Sequence, residues 1–240
     1  MNSTAVVAGA ATITFTVAGI VSFALESSPT GLGLDGDNPG QMVQWVRDHP
    51  GVYGQAGLAL LAMAVSLTIG VLAVAELFRD RVSPLALKSA TAFGLFAAAM
   101  LFVHGAMRIG SSDPVIHIAN YRAEWGESAY LAVQMAGVQG VGIAGILSLC
   151  LWAVGLSLIG LRYRVLPIAL VILGVFPAIR VVTSTLGVLG LLPDDDLVWM
   201  VSISGIFGLM LWCLLLGVVL LWRGSRAAST VQSDAAPAAA

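Results

Sequence analysis

The sequence GVYGQAGLALLAMAVSLTIGVLAVA, residues 51–75, decides the fold class of this chain. It contains no Asp, Glu, Lys, Arg or His, and the first charged residue after it is Glu76. A helix needs about 20 predominantly apolar residues to cross the hydrocarbon core of a bilayer. Residues 51–75 therefore predict a transmembrane helix.

The composition of the whole chain agrees with this interpretation. Of the 240 residues, 58% are hydrophobic and 10% are charged. A soluble domain has about 45–50% apolar and about 25% charged residues, so this chain is an integral membrane protein. A net charge of −2 without a basic block argues against a nucleic-acid partner. The two cysteines, Cys150 and Cys213, lie in apolar runs and form no CxxC motif.

Five further apolar runs have the length of a span: residues 5–25, 86–107, 128–161, 165–192 and 197–222. The first is too long for a signal-peptide core and lacks a basic segment before it, so it predicts a retained helix. We expect an all-α membrane protein, a six-transmembrane-helix bundle over residues 1–224 with short interfacial helices in its outer loops. Residues 225–240 predict a disordered cytoplasmic tail.

Basic residues orient the predicted helices. If both termini are cytoplasmic, the outer segments hold three basic residues, Arg47, Arg108 and Arg122. Loops on the cytoplasmic side are enriched in Lys and Arg. We therefore expect a multi-pass protein of a bacterial inner membrane with cytoplasmic N- and C-termini. The seven basic residues then on the inner side are Arg79, Arg81, Lys88, Arg162, Arg164, Arg223 and Arg226.

Two proline-containing sequences predict the short outer helices. Asn38-Pro39 and Asp113-Pro114 each place a good N-cap residue before a proline, which is favoured at the first helical position. A helix over residues 39–48 would lie at the outer membrane interface. The preceding Asp35-Gly36-Asp37 lacks the ligand spacing of an EF-hand and predicts a turn.

Arg180 is the most unusual residue of the predicted spans. A charge in mid-bilayer costs roughly 2.5–3.5 kcal/mol on insertion scales. Ser184 shares its helix face, and Pro177, one turn earlier, predicts a kink. Arg180 then binds an anion or substrate, or takes part in a proton-coupled ion pair. Alternatively, it forms a structural pair with Glu127 or Glu26, or its side chain extends to the outer interface.

Other polar residues lie near the outer ends of the predicted helices. His104 and Arg108 are four residues apart and share a face. They form either a titratable pair in a pocket or a capping histidine beside an interfacial arginine. The candidate residues for an outward-facing pocket are Arg180, Ser184, His104, Arg108, Glu127, Gln134 and Gln55.

The fourth predicted helix carries a packing pattern. Small residues at four-residue spacing, Ala136, Gly140, Ala144 and Ser148, predict a close helix contact. The run 128–161 exceeds the bilayer thickness, so this helix projects, tilts or bends near its glycines. His104 is the only histidine in a span, which argues against bis-histidine haem; we expect no cofactor and no metal.

Three stretches carry a family resemblance. They are the outer loop and short helix from Gly36-Asp37 through Asp48-His49 to Tyr53-Gly54, the tight inner turn SLIGLRYRVLP at 157–167, and the closing Leu221-Trp222-Arg223-Gly224. With six helices, this pattern resembles a family of small bacterial six-helix membrane proteins classified as a domain of unknown function. The resemblance covers most of residues 5–224 and implies the fold, but no activity or catalytic residue.

We expect a binding or scaffold protein with no catalytic centre, whose outer pocket takes a small or lipidic ligand. One alternative is a secondary transporter or permease subunit. Another is a membrane enzyme acting on lipid or quinone, with His104 and Glu127 as acid and base. A fourth is a purely structural subunit. Expected partners are the lipid bilayer, the ligand, and a homo-oligomer or membrane partner.

Overall fold

The computed structural model describes residues 3–27, 38–193 and 195–234, and across these ranges the chain is helical and contains no strand. The predicted turn at Asp35-Gly36-Asp37 and the last six residues of the predicted tail lie outside them. The helices are α1 (Ser3–Glu26), α2 (Pro39–Asp48), α3 (Pro50–Phe78), α4 (Pro84–Tyr121), α5 (Ala123–Gln134), a π-helical segment (Met135–Gly142), α6 (Ile143–Tyr163), α7 (Ile168–Leu173), α8 (Val175–Val188) and α9 (Asp196–Asp234).

Six helical stretches of the described chain are long and apolar enough to cross a membrane. Their positions agree with the six runs in the sequence, so the predicted all-α membrane class is confirmed. The fourth combines α5, the π-helical segment and α6, and the fifth combines α7 and α8. The six stretches are Ser3–Glu26, Pro50–Phe78, Pro84–Tyr121, Ala123–Tyr163, Ile168–Gly187 and Leu197–Ser225.

The predicted short helix at residue 39 is present as α2. The Asn38 side chain accepts a hydrogen bond from the Gln41 backbone N–H at 3.2 Å, as an N-cap does. One face of α2 is buried, and it belongs to the same apolar cluster as residues of α4 and α5. The members of this cluster from α2 are Met42, Val43, Trp45 and Val46.

The prediction of a second short helix starting at Pro114 is wrong. Helix α4 continues through Pro114 to Tyr121 without a break. Proline removes one backbone N–H, here the one that would bond to the carbonyl of Gly110. The hydroxyls of Ser111 and Ser112 donate to the carbonyls of Arg108 and Ile109, at 3.4 and 3.2 Å, in the turn before the proline.

The fifth span is interrupted where the sequence predicts a kink. Helix α7 ends at Leu173 and α8 begins at Val175, with Gly174 between them. Pro177 has no N–H for the carbonyl of Leu173, so the regular hydrogen-bond ladder cannot continue there. The close approach of another helix also requires glycine at 174, because a Cβ would overlap the Ser157 side chain.

Helix α9 continues beyond Trp222 to Asp234, into the segment that the sequence predicts to be disordered. The alanines, arginine and glutamine that follow Gly224 favour a helix, so a helix that is already formed extends through them.

The chain forms two compact units, and the boundaries between them fall within α1, α3, α4 and the fourth span. Unit 1 comprises Met1–Thr16, Ser66–Phe96 and Ile146–Ala240, and unit 2 comprises Val17–Val65 and Ala97–Gly145. In the core of unit 1, Trp152 and Trp212 pack edge to face with ring centroids 5.7 Å apart. The Trp212 indole also donates to the carbonyl of Leu170 at 2.9 Å.

Glycines allow α1 and α9 to touch within unit 1. A Cβ on Gly217 would lie 2.9 Å from the Gly9 carbonyl oxygen. We predict that Gly217→Ala lowers the apparent melting temperature in detergent, because overpacking costs about 1–3 kcal/mol. Gly110→Ala is the matched control: nothing lies within 4 Å of that position, so its melting temperature should be unchanged or higher. Equal melting of both variants would contradict the contact.

Candidate functional site

In unit 2, two glycines bring α3 and α4 into close contact. A Cβ on Gly105 would lie 2.8 Å from the Gly57 carbonyl oxygen, and a Cβ on Gly57 would lie 2.9 Å from that of Gly105. Small residues at such a crossing let two backbones approach closely. Tyr53 lies one turn before Gly57, and Arg108 lies one turn after Gly105. The crossing therefore places the Tyr53 ring next to the Arg108 guanidinium.

Arg108 is the centre of a buried polar cluster. The residue is 9% exposed, and its Nη2 lies 3.5 Å from Glu26 Oε1. Its Nε donates a long hydrogen bond of 3.5 Å to His104 Nε2. The guanidinium carbon lies 5.1 Å from the Tyr53 ring centroid, within cation–π range. The charge of Arg108 is thus compensated by one carboxylate, one imidazole and one aromatic face.

The His104 ring packs against the π-helical segment of the same unit. A Cβ on Gly142 would lie 3.2 Å from both Cε1 and Nδ1 of His104, and one on Gly137 would lie 3.8 Å from its Cδ2. Two glycines therefore form a flat surface against the imidazole. π-Helical turns occur frequently at functional sites, where they change the direction of the side chains that follow.

The structure joins His104 to Arg108 as predicted, but it does not bring the other outer candidates to this cluster. Glu127 instead lies near the first turn of α2, where its Oε1 would be 3.1 Å from a Cβ on Gly40. A carboxylate is favourable at a helix N-terminus. Gln134 is half-buried and Gln55 is exposed. Within the described residues, no polar contact joins Glu127 to His104.

Sequence reasoning missed the two tyrosines of this cluster. Tyr130 is 5% exposed and lies within electrostatic reach of Tyr53, Arg108 and Glu26. A signal for Tyr53 was present, since it precedes the glycine of the crossing by four residues. Tyr130 has no such signal, because its place depends on how α5 packs against α2.

Unit 1 contains the second arginine of the spans, Arg180 on α8. Helices α8 and α9 touch there, because a Cβ on Gly205 would lie 2.7 Å from Arg180 Cβ. Arg180 Nη1 donates a hydrogen bond to the Ser202 hydroxyl. The Thr183 hydroxyl lies 3.1 Å from that of Ser202. The hydroxyls of this site are therefore those of Ser202 and Thr183, while Ser184 is half-buried on the next position of α8.

Arg180 lacks the compensation that Arg108 has. Within the described part of unit 1, no carboxylate lies within ion-pair distance of its guanidinium. Its Nε is buried and has no hydrogen-bond acceptor in the described chain. Of the two carboxylates that the sequence offers as structural partners, Glu26 pairs with Arg108 and Glu127 lies against Gly40, both within unit 2.

The predicted stripe of small packing residues in the fourth span is only partly buried. Ala136 and Gly140 are exposed, Ala144 is half-buried and Ser148 is buried. Residues 135–142 are π-helical, with a longer turn than an α-helix, so four-residue spacing does not return to the same face. The close contacts here run through the neighbouring glycines instead: Gly137, Gly142 and Gly145.

The seven predicted pocket residues are divided between the two units. Arg180 and Ser184 belong to unit 1, and the other five belong to unit 2. An open depression of about 570 Å³ in unit 2 is lined by Asp113, Pro114, Ile116, His117 and Asn120 instead. Among the described residues, no group of three or more His, Cys, Asp or Glu side chains could hold a metal ion.

Six spanning helices with arginine-centred polar clusters define a multi-pass α-helical membrane protein. The chain belongs to the family of the domain of unknown function DUF4386, whose model matches residues 7–224. This confirms the resemblance to a family classified as a domain of unknown function. No curated protein and no solved structure matches the chain.

We predict that Arg108→Gln strongly lowers the apparent melting temperature. Removing one partner of a fully buried ion pair costs about 3–5 kcal/mol, since the other charge is left unpaired. Because the Glu26 side chain is 29% exposed, we expect a loss below this range but above that of an exposed pair. Adding Glu26→Gln should restore part of the loss. The control is Arg79→Gln, which breaks a pair with Glu76 whose side chains are 72% and 61% exposed, and it should cost less than about 1 kcal/mol. Additive losses in the double variant would contradict the pairing.

Proposed function

We propose that this protein is a membrane binding protein that holds the acidic group of a small or lipidic ligand at Arg180. The observation that carries the proposal is the buried Nε of Arg180, which has neither a hydrogen-bond acceptor nor a carboxylate partner in the described part of unit 1. An unpaired guanidinium in a span is costly, and its usual role is to meet a partner of opposite charge. A bound carboxylate or phosphate would be that partner.

The donors around Arg180 suit such a group. A guanidinium presents several N–H groups in a planar fork, which matches the oxygens of a carboxylate or phosphate. Ser202 accepts from Nη1, and no other N–H group of this guanidinium has an acceptor in the described part of unit 1. The hydroxyls of Ser202 and Thr183 orient the guanidinium but do not neutralise it.

The span that carries Arg180 also favours a ligand with an apolar part. Only 17% of its most apolar window is buried, against 33% to 56% for the other five spans. Phe176 and Val182, close to Arg180 on α8, are 41% and 53% exposed. An amphiphilic ligand could therefore place its chain along α8 and its acidic group at Arg180.

In this proposal the site opens to the outer face of a bacterial inner membrane, and both termini are cytoplasmic. Arg180 lies past the midpoint of the span Ile168–Gly187, which in this topology is the outer half. The support for the topology is the distribution of basic residues, seven inside and three outside.

A secondary transporter is the second candidate, and the interruption of the fifth span favours it. Transporters commonly bind substrates where a membrane helix is broken, and Gly174 separates α7 from α8 two turns before Arg180. Gradient-driven uptake of an organic anion into proteoliposomes would support transport; binding without flux under every gradient would favour the binding protein.

We predict that wild-type protein purified from its membrane retains an acidic amphiphile that Arg180→Gln loses. A charge-assisted hydrogen bond contributes about 1.5–3 kcal/mol, so retention should fall at least tenfold. Arg180→Lys should retain an intermediate amount, because it keeps the charge but not the fork. Native mass spectrometry of the purified proteins measures the bound species, with Arg79→Gln as the control of equal charge.

The stability of these variants tests the same proposal in another way. Arg180→Met should melt at an equal or higher temperature than wild type once the ligand is removed, since no buried partner is left unpaired. Unchanged ligand retention in Arg180→Gln, or a large fall in the melting temperature of Arg180→Met, would overturn the proposal.

The topology has its own test in intact cells. The native cysteines Cys150 and Cys213 are fully buried, so a membrane-impermeant maleimide should not react with them. We predict that it labels Glu124→Cys from outside and labels Asp80→Cys only after the cells are opened. Both positions are exposed acidic residues, which makes the pair a matched comparison. The reverse pattern would invert the topology.

A further inference from the structure

Unit 1 contains a groove with both polar and apolar walls, apart from Arg180. Its volume is about 500 Å³, and it lies where α4 begins and α6 ends. Both of these helix ends are ends of membrane spans, where lipid headgroups lie. The residues that matter to its chemistry are Ser83, Leu85, Ser89, Leu158, Arg162 and Tyr163.

The walls of the groove combine exposed apolar side chains with hydrogen-bond donors. Leu85 and Leu158 are 76% and 62% exposed and offer an apolar surface to acyl chains. Arg162 is exposed and lies with its guanidinium carbon 5.8 Å from the Tyr163 ring centroid. The hydroxyls of Ser83 and Ser89 make no hydrogen bond to any described residue.

The chain is held in a strained conformation next to this groove. Arg164 has a φ of 55°, in the left-handed region that a non-glycine residue rarely adopts. Arg223 Nη1 donates to the carbonyl of Val165 at 2.7 Å and fixes the turn that follows. Such strain persists where the surrounding structure enforces it, often at binding sites. Here the turn keeps Arg162 and Arg164 together at one end of the span.

The charge of this end complements an anion. Arg81, Lys88 and Arg164 are exposed around the two helix ends, in addition to Arg162. The nearby Glu76 is already paired with Arg79. Basic pockets between the ends of spanning helices typically bind acidic lipid headgroups.

We infer that this groove binds an acidic phospholipid. The phosphodiester lies against Arg162 and the hydroxyls of Ser83 and Ser89, and the acyl chains lie along Leu85 and Leu158. Free phosphate would use the donors but would leave these leucines exposed, which is why the occupant is a lipid. The inference does not depend on the ligand of Arg180.

The experiment uses full-length protein in nanodiscs that contain photoactivatable phosphatidylglycerol or phosphatidylcholine, with crosslinks mapped by peptide mass spectrometry. We expect phosphatidylglycerol to label residues 83–89 and 158–163 about tenfold more than phosphatidylcholine does. Arg162→Gln should reduce this labelling to the phosphatidylcholine level. Arg79→Gln, which removes an exposed charge outside the groove lining, should leave it unchanged.

Two further arms keep the inference falsifiable. Ala86→Phe fills the groove without changing charge and should abolish the same crosslinks, even if Arg162→Gln folds poorly. Inorganic phosphate should not compete with the lipid. Equal labelling by the two lipids, equal loss in Arg79→Gln, or full competition by inorganic phosphate would overturn it. Because crosslinks are located by peptide, Arg180→Gln should leave this labelling intact whether or not Arg180 binds its own ligand.

Discussion

The cost of a guanidinium within a spanning helix is the constraint on which both polar clusters of this protein depend. A helix in the low-dielectric interior of a membrane tolerates an arginine only if other groups replace the water that the guanidinium has lost. Arg108 receives a carboxylate from Glu26, an acceptor from His104 and the face of Tyr53. In the described part of unit 1, the Arg180 guanidinium has the Ser202 hydroxyl as its partner, and the Thr183 hydroxyl lies next to Ser202. The two arginines therefore meet the same constraint to different degrees.

Glycine contacts make these arrangements possible. Side chains can replace water around a charge only if the helices that carry them come close enough to exclude it. In unit 2, the crossing at Gly57 and Gly105 provides this approach for Arg108. In unit 1, Gly205 lets α9 pack directly on the Cβ of Arg180. At these two places a glycine contact between helices lies next to a buried or half-buried arginine.

Much of the fold could be predicted from the sequence, because a span is a local property of about 20 consecutive residues. The features that could not be predicted depend on long-range contacts or on helix type. Arg108 and Glu26 lie on different spans, so no spacing rule joins them. Helix α4 continues through Pro114, and a proline pattern alone does not reveal whether a helix ends or continues there. The predicted contact at Ala136 and Gly140 rested on the residue spacing of an α-helix, whereas the backbone there is π-helical.

For the candidate site, too, the local features could be predicted from the sequence and the long-range contacts could not. That Arg180 needs an explanation follows from its position in an apolar run, but that it lacks a carboxylate follows only from three-dimensional packing. A hydroxyl is a neutral dipole, so Ser202 and Thr183 fix the direction of the guanidinium without reducing its charge. A soluble anion would have to lose its hydration to reach such a group in a span. An amphiphile already in the bilayer loses less, and the exposed apolar surface of α8 at Phe176 and Val182 gives its chain a place to lie. This difference in desolvation favours a lipidic anion over a water-soluble one as the ligand of Arg180.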